Sequence, residues 1–344
     1  MEDVRLADLW HDSLVKNGWN SQTALHVPFV LAKSTQQSYD RIISDIRVFC
    51  MKKDIVFPPV QSCDIADYLC HVAKKSDRPK SSLNSTMSAL SALYHVLELP
   101  NPCNFHVKSL YTALIKTHTK KARVRTKVMP IEPFHVLFKS WKSNHELSIK
   151  FLRLKCISLL AFAYMLRPSD IAPKSVSYDS DSDSFSLFVF SRSQVIFSDD
   201  GSLTITFFAI KNDGSRDGFD VTIPPCDDIM LDPVCALKDY MCRTSNFVDG
   251  DSSPVFVSLN KPFKAISAAT VGSILAESIA LAGLDSSVFT PKCFRPSGAT
   301  RAVDNGFEPD KVRRIGRWKT SSVFFEHYVF DKTPDQFSNV MFDV

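Results

Sequence analysis

Between Cys156 and Leu166 every residue except Ser158 is apolar, and the run closes on Arg167-Pro168. Such a segment cannot face water, yet it is shorter than the ~20 residues that span a bilayer. It therefore has to sit inside a folded core, and Arg167 has to emerge from that core, which is costly without an anionic partner. The rest of the chain can supply such a core. It has 344 residues, which fits two domains better than one, and 44% hydrophobic residues. Glycine is scarce (10) and phenylalanine abundant (26), which argues against a low-complexity chain. The opening Met-Glu-Asp is not followed by a basic-then-apolar leader, so no secretory signal or membrane association is expected. Nine cysteines, an odd number with no Cys-x-x-Cys pair, argue against a disulfide framework or a zinc site and for a reducing interior.

The hydrophobic period divides the chain. Residues 1–27 read as a polar lead-in with Trp10 and Trp19 as isolated anchors. Helical spacing follows over about 34–52, through Tyr39, Ile42, Ile43, Ile46, Val48 and Phe49. Further helices are expected from Asp64 onward, over 80–97, and over 105–119, giving a helical domain at 28–118. Residues 119–130 are expected to form a linker. Helices are predicted again at 131–142 and 148–166, after which the period changes to two: Phe185, Leu187 and Val189 alternate, as do Leu203, Ile205 and Phe207. Asp-Asp-Gly at 199–201 and Asn-Asp-Gly at 212–214 are hairpin turns, so 184–224 is expected to form an antiparallel meander. Helices resume at 232–243, 267–283, 293–305 and 308–315. The expected fold class is thus mainly α with a small antiparallel β-sheet, the second domain running over 131–335 and a tail over 336–344.

The net charge of +4 is unevenly placed. Residues 1–129 carry a net +7 and residues 130–344 a net −3. The segment 116–130 holds Lys116, Lys120, Lys121, Arg123, Arg125 and Lys127 with no acid and no apolar periodicity. It reads either as a solvated linker or as a phosphate-contacting strap between two folded units.

Within the second domain five positions stand out, each with an ordinary alternative. Arg167 could simply pair with Asp170. Lys211, at the end of a predicted strand, could be a solvated turn lysine. Arg295 starts a predicted helix in Thr-Pro-Lys-Cys-Phe-Arg-Pro-Ser-Gly-Ala-Thr. Trp318, after Ile-Gly-Arg, could be a packing residue. Tyr328, the only tyrosine after Tyr240, could be a core aromatic.

Taken in order, Leu166-Arg167-Pro168-Ser169-Asp170-Ile171, Lys211, Lys292-Cys293-Phe294-Arg295 with Gly298-Ala299-Thr300, Ile315-Gly316-Arg317-Trp318 and Tyr328 resemble the tyrosine recombinase (phage-integrase-like) family. The wording is most similar to the Crypton and DIRS/Ngaro recombinases of eukaryotic mobile elements. The resemblance covers about 130–335, and the preceding helical domain is similar to the family's core-binding domain. It implies a site-specific DNA recombinase or integrase. Tyr328 attacks the scissile phosphate to form a covalent 3′-phosphotyrosine. Arg167 and Arg295 hold the non-bridging oxygens, a task suited to planar guanidinium. Lys211 protonates the leaving 5′ oxygen, and the Trp318 indole N–H donates to the phosphate. The same resemblance implies no metal and no nucleotide cofactor, double-stranded DNA as partner, four protomers acting on two sites, and a nuclear location.

The sequence departs from the family at Lys292, where the family usually has His. A protonated lysine can bind phosphate but cannot accept the tyrosine proton. This leaves two further readings beside the active recombinase: a recombinase-derived DNA-binding protein whose chemistry has lapsed, and a type IB topoisomerase, which the helical first domain disfavours. His327 stands beside the nucleophile position, as a second base or a surface residue. The tail residues Phe337, Val340 and Met341 share one helix face and are expected to pack on a neighbouring protomer or on their own domain.

Overall fold

The computed structural model of the chain describes residues 5–76, 79–117, 128–172, 176–179, 184–187, 189–208 and 218–327. The chain divides into two compact units, Met1–Val124 and Arg125–Val344. Among the described residues no helix is long and apolar enough to cross a membrane.

The first unit is helical: α1 (Leu6–Lys16), α2 (Ser21–Ala24), a 3-10 turn over Val27–Val30, α3 (Lys33–Lys53), α4 (Ser62–Lys75), α5 (Pro79–Val96) and α6 (Phe105–Thr117). Most residues at helical spacing are buried, Val48 being exposed and Tyr39 half-buried. Ile46, Phe49 and Cys50 of α3 meet Ile65, Tyr68 and Leu69 of α4, Leu83, Leu90 and Tyr94 of α5, and Val107 and Leu114 of α6. Helix α3 stops at Asp54, which takes a left-handed conformation (φ 56°) while the Ile55 amide reaches back to the Cys50 carbonyl at 2.9 Å. The segment expected as a polar lead-in contains α1. Its one fully buried residue, Leu6, packs with Ile43, Leu93 and Val96, and the Leu6 amide donates to Asp40 Oδ1 at 2.8 Å. Leu6, Leu9 and Trp10 stand at helical spacing, so α1 carries a short apolar stripe of its own, which the reading as a polar lead-in passes over.

The second unit is built around α8 (Ile149–Ala163), which follows α7 (Glu132–Lys139). Ser148 caps α8, its Oγ accepting from the Phe151 amide. Every residue from Leu152 to Ser158 is buried, as are Leu160, Ala161 and Phe162. The apolar run is therefore the axis of the unit, and α10 (Pro233–Arg243), α11 (Ala268–Leu281) and α12 (Phe294–Asp304) pack around it. Phe134 of α7, Phe162 of α8 and Phe294 of α12 form one aromatic cluster, with the Phe162–Phe294 ring centres 4.5 Å apart. Between α8 and α10 lie the short α9 (Pro168–Ile171) and the strands β1 (Val176–Asp179), β2 (Ser184–Leu187), β3 (Val195–Phe197), β4 (Leu203–Phe207) and β5 (Phe219–Ile223). The last helices are α13 (Pro309–Ile315) and α14 (Ser321–His327).

The strands differ from a single meander. β1 and β2 form their own antiparallel pair, with Val176 opposite Leu187. β3, β4 and β5 form a separate antiparallel sheet in that order, with Val195 opposite Ile205 and Phe207 opposite Phe219. Leu203, Ile205 and Phe207 are buried on one face, following the alternation in the sequence. The turn at 199–201 is present, with Gly201 at φ 82°, while Asn-Asp-Gly at 212–214 lies outside the described residues. The period of two marks β2 and β4, while β1 falls before the expected 184–224 span, and which strand pairs with which depends on contacts the period does not encode.

Helix α8 also carries a buried cation. The Lys155 ammonium donates to Asn144 Oδ1 at 2.8 Å, and the Asn144 amide donates to Asp239 Oδ2 at 2.8 Å. Burial holds the Lys155 pKa below its ordinary 10.5, an effect that Asp239 and Asp228 oppose. The unfolded chain thus binds the extra proton in the window below pH 10.5, so stability rises with pH across it and is lost as pH falls through the lowered folded value. Urea unfolding of the wild type is expected to show this gain and Lys155→Met to lack it; parallel pH profiles would count against it. Leu160→Ala, at the centre of α8, is expected to cost about 2–5 kcal/mol by the same measurement.

Candidate active site

The site is assembled where α8 ends. The helix closes with Met165 in a left-handed conformation (φ 51°), the Leu166 amide bonding to the Ala161 carbonyl at 3.1 Å and the Met165 amide to the Phe162 carbonyl at 3.3 Å. This is a helix stop more often supplied by glycine. It turns the chain so that Arg167 opens α9, and the Arg167 amide donates to Asp170 Oδ2 at 3.0 Å. The Met165 carbonyl accepts from Arg295 Nη1 at 2.5 Å.

Arg295 arrives from the start of α12. Its neighbour Phe294 is fully buried in the aromatic cluster, which fixes the first turn. Arg295 Nη2 donates to the Gly316 carbonyl at the end of α13, and its guanidinium lies 4.1 Å from the centre of the Trp318 ring. One side chain therefore joins the ends of α8 and α13.

Two glycines make this approach possible by their lack of a Cβ. A Cβ on Gly298 would stand 2.5 Å from the Phe162 carbonyl oxygen of α8, and one on Gly316 would stand 1.7 Å from the Trp318 ring. Gly-Ala-Thr and Gly-Arg-Trp are thus also packing motifs.

Asp170 is the centre of charge. Its side chain is 1% exposed, and Oδ2 lies 3.3 Å from Arg317 Nη2, 3.8 Å from Arg295 Nη1 and 3.9 Å from Arg167 Nη1. Three guanidiniums against one carboxylate leave two positive charges in excess. Arg317 and Arg295 are buried, while Arg167 is 26% exposed and reaches solvent. Arg317 also donates to the carbonyls of Ile315 at 3.2 Å and Tyr164 at 3.4 Å and lies 4.6 Å from the Phe207 ring at the end of β4. Burial lowers the Arg317 pKa, with Asp170 opposing and Arg167 adding to the shift. Asp170 Oδ1 and Arg317 Nε are buried without a hydrogen-bond partner among the described residues. An arrangement of this kind can hold an anion that offers two oxygens side by side, such as the non-bridging oxygens of a phosphodiester.

The structure thus brings Arg167, Arg295 and Trp318 together. Trp318 is 4% exposed and packs with Met165, Ala299, Val312 and Phe324, its ring face covering Arg295. Lys292 lies on the 3-10 turn Pro291–Cys293, three residues before Arg295, exposed and with no ion pair among the described residues. Helix α14 is seated by Phe324, whose ring centre is 4.9 Å from that of Trp318, and it ends at His327. Lys211, Tyr328 and the tail residues Phe337, Val340 and Met341 lie outside the described residues. Of the basic segment, Lys116 is exposed at the end of α6, and Lys120, Lys121, Arg123, Arg125 and Lys127 lie outside the described residues.

Two members carry no distinct signal in the sequence: Arg317 stands there only as the approach to Trp318, and Asp170 only as a local partner of Arg167. The Arg317–Asp170 contact joins residues 147 apart in the chain, and no local pattern signals it.

Asp170→Ala is expected to destabilise the second unit by about 3–5 kcal/mol, because it strands buried guanidiniums without a counter-charge. Gly316→Ala is expected to cost about 1–3 kcal/mol by overpacking the Trp318 ring. Denaturant unfolding checks both, and wild-type stability in either variant would contradict the packing described.

No protein-family model and no curated protein matches the sequence. Among solved structures, the chain is similar to the Tn1549 transposon integrase in complex with transposon right end DNA, at 13% identity and a TM-score of 0.54 over 99% of both chains. It is also similar to a lambda integrase dimer bound to a COC′ core site, at 14% identity and a TM-score of 0.50 over 95% of this chain and 97% of that one. A third is the XerH site-specific recombinase bound to palindromic difH substrate, at 14% identity and a TM-score of 0.53 over 90% and 78%. The mainly helical architecture with its small antiparallel sheet is therefore the fold seen in these integrases and recombinases.

Proposed function

We propose that the chain is a site-specific DNA recombinase or integrase that cuts and rejoins DNA through a covalent 3′-phosphotyrosine at Tyr328. The observation that carries this reading is the Asp170-centred cluster: Arg167, Arg295 and Arg317 converge with a net excess of positive charge, in a unit with the integrase fold. A buried charge excess is costly in itself and is accounted for by an anionic ligand.

In this reading Arg167, the exposed member, meets the non-bridging oxygens of the scissile phosphate, and Arg295 supplies the second positive charge from below. The Tyr328 phenol gives its proton to solvent and its oxygen bonds to phosphorus as the bond to the 5′ oxygen breaks, and Lys211 gives that departing oxygen a proton. The second strand exchange reverses the step with a new 5′ hydroxyl, so no nucleotide cofactor is consumed. Lys292 adds a cation but is not suited to take the phenol proton. Trp318 sheathes Arg295 with its ring face, and its indole N–H is assigned to the phosphate by the resemblance. The basic segment from Lys116 through Lys120, Lys121, Arg123, Arg125 and Lys127 contacts the DNA backbone. The wording around Arg295 and Trp318 favours a Crypton- or DIRS-type mobile element, acting in the nucleus as a tetramer on two DNA sites. Lys292 in place of His favours a second reading, a DNA-binding protein descended from such an enzyme.

A nicked suicide duplex carrying the element's own termini distinguishes them. A protein–DNA adduct is expected with the wild type and not with Tyr328→Phe. Tight DNA binding without any adduct would support the second reading instead. The affinity is expected to fall steeply with salt, with a slope of about −0.9 per phosphate contact in a log–log plot.

A further inference from the structure

We propose that Arg317 is a positioning residue of this site: it neutralises Asp170, so that Arg167 and Arg295 keep their charge for the scissile phosphate. The inference rests on the strand-transfer reading above.

The distances around Asp170 divide the three arginines into two kinds. Asp170 Oδ2 accepts hydrogen bonds from the Arg167 amide at 3.0 Å and from Arg317 Nη2 at 3.3 Å. Arg295 Nη1 at 3.8 Å and Arg167 Nη1 at 3.9 Å stand beyond hydrogen-bond range of the same oxygen. The carboxylate is thus committed to Arg317 and to the backbone turn that opens α9. The Arg167 guanidinium, the only one of the three that reaches solvent, is close enough to be steadied by Asp170 but is not consumed by it.

Arg317 is held for this task from several sides. Its side chain is 5% exposed, stacks on Phe207 and donates to the carbonyls of Ile315 and Tyr164. Its backbone takes a left-handed conformation (φ 59°), which a non-glycine residue adopts at a cost and keeps only where its surroundings enforce it. An arginine remains charged even when burial lowers its pKa.

The charge count says why this matters. A phosphodiester carries one negative charge. As the deprotonated phenol oxygen bonds to phosphorus and the 5′ oxygen departs, the reacting group carries two. With Arg317 the cluster has two positive charges in excess; without it, one. Asp170 would then draw on Arg167 or Arg295, the nearest remaining cations. The loss therefore falls on the transition state more than on DNA binding.

The test is single-turnover cleavage of the nicked suicide duplex at saturating protein, alongside DNA affinity and thermal unfolding of each variant. Arg317→Met is expected to slow adduct formation about 100-fold while DNA affinity stays within about threefold. Adding Asp170→Asn removes the uncompensated carboxylate and is expected to restore about tenfold of that rate. A purely structural Arg317 would show no such recovery. Arg317→Lys keeps the charge, covers the case in which the methionine variant does not fold, and is expected to cleave within about tenfold of the wild type. The proposal is overturned if Arg317→Met cleaves like the wild type, if the folded double variant recovers nothing, or if Arg317→Lys loses as much as Arg317→Met. A wild type that forms no adduct overturns the strand-transfer reading and this inference together. That outcome is distinct from the others, in which the wild type cleaves.

Discussion

A single buried carboxylate holds three guanidiniums at the end of one buried helix. Asp170 cannot be removed without stranding Arg295 and Arg317 in a dry interior, and without those two the buried carboxylate would keep only Arg167 as a counter-charge. Around that mutual dependence the ends of α8, α13 and β4 are drawn together, through the carbonyls of Met165 and Gly316 and the ring of Phe207. Buried ion clusters contribute little net stability compared with apolar packing of the same volume, whereas removing one partner is strongly destabilising.

The packing beneath the cluster makes its geometry reproducible. The interlocked rings of Phe134, Phe162 and Phe294 fix α12 against α8, and Gly298 lets the two helices approach to a distance that any side chain would prevent. Arg295 is then placed by the helix that carries it rather than by its own flexible stem. Trp318 closes over it, seated in turn on Phe324, so that the helix leading to Tyr328 is registered against the same guanidinium. Positioning of this kind limits rotamer freedom before substrate arrives, a condition for electrostatic stabilisation of a charged transition state.

Much of the architecture was legible in the sequence. The 3.6-residue period over α3 to α6, the apolar run of α8 and the alternation of Leu203, Ile205 and Phe207 each reflect a local rule, since one face of an element must be apolar to be buried. Elements held mainly by distant partners were not legible. Helix α1, in the segment expected as a polar lead-in, has only a short stripe of Leu6, Leu9 and Trp10, and its place is set by distant partners: Ile43, Leu93, Val96 and the Asp40 carboxylate. The split of the strands into a pair and a triplet depends on register between segments that alternate in the same way.

The site divides along the same line. Read along the chain, the residue types and their order are plain: Arg167 at the end of an apolar helix, Arg295 at the start of another, Trp318 after a glycine turn. Those are local facts of composition and spacing. That Asp170 belongs to Arg317 as much as to Arg167, that Trp318 covers Arg295, and that two glycines are there for space emerges in three dimensions. Charge pairing and close packing are set by distances in space. Residues 147 positions apart can share a hydrogen bond that nothing in their immediate neighbourhoods foretells.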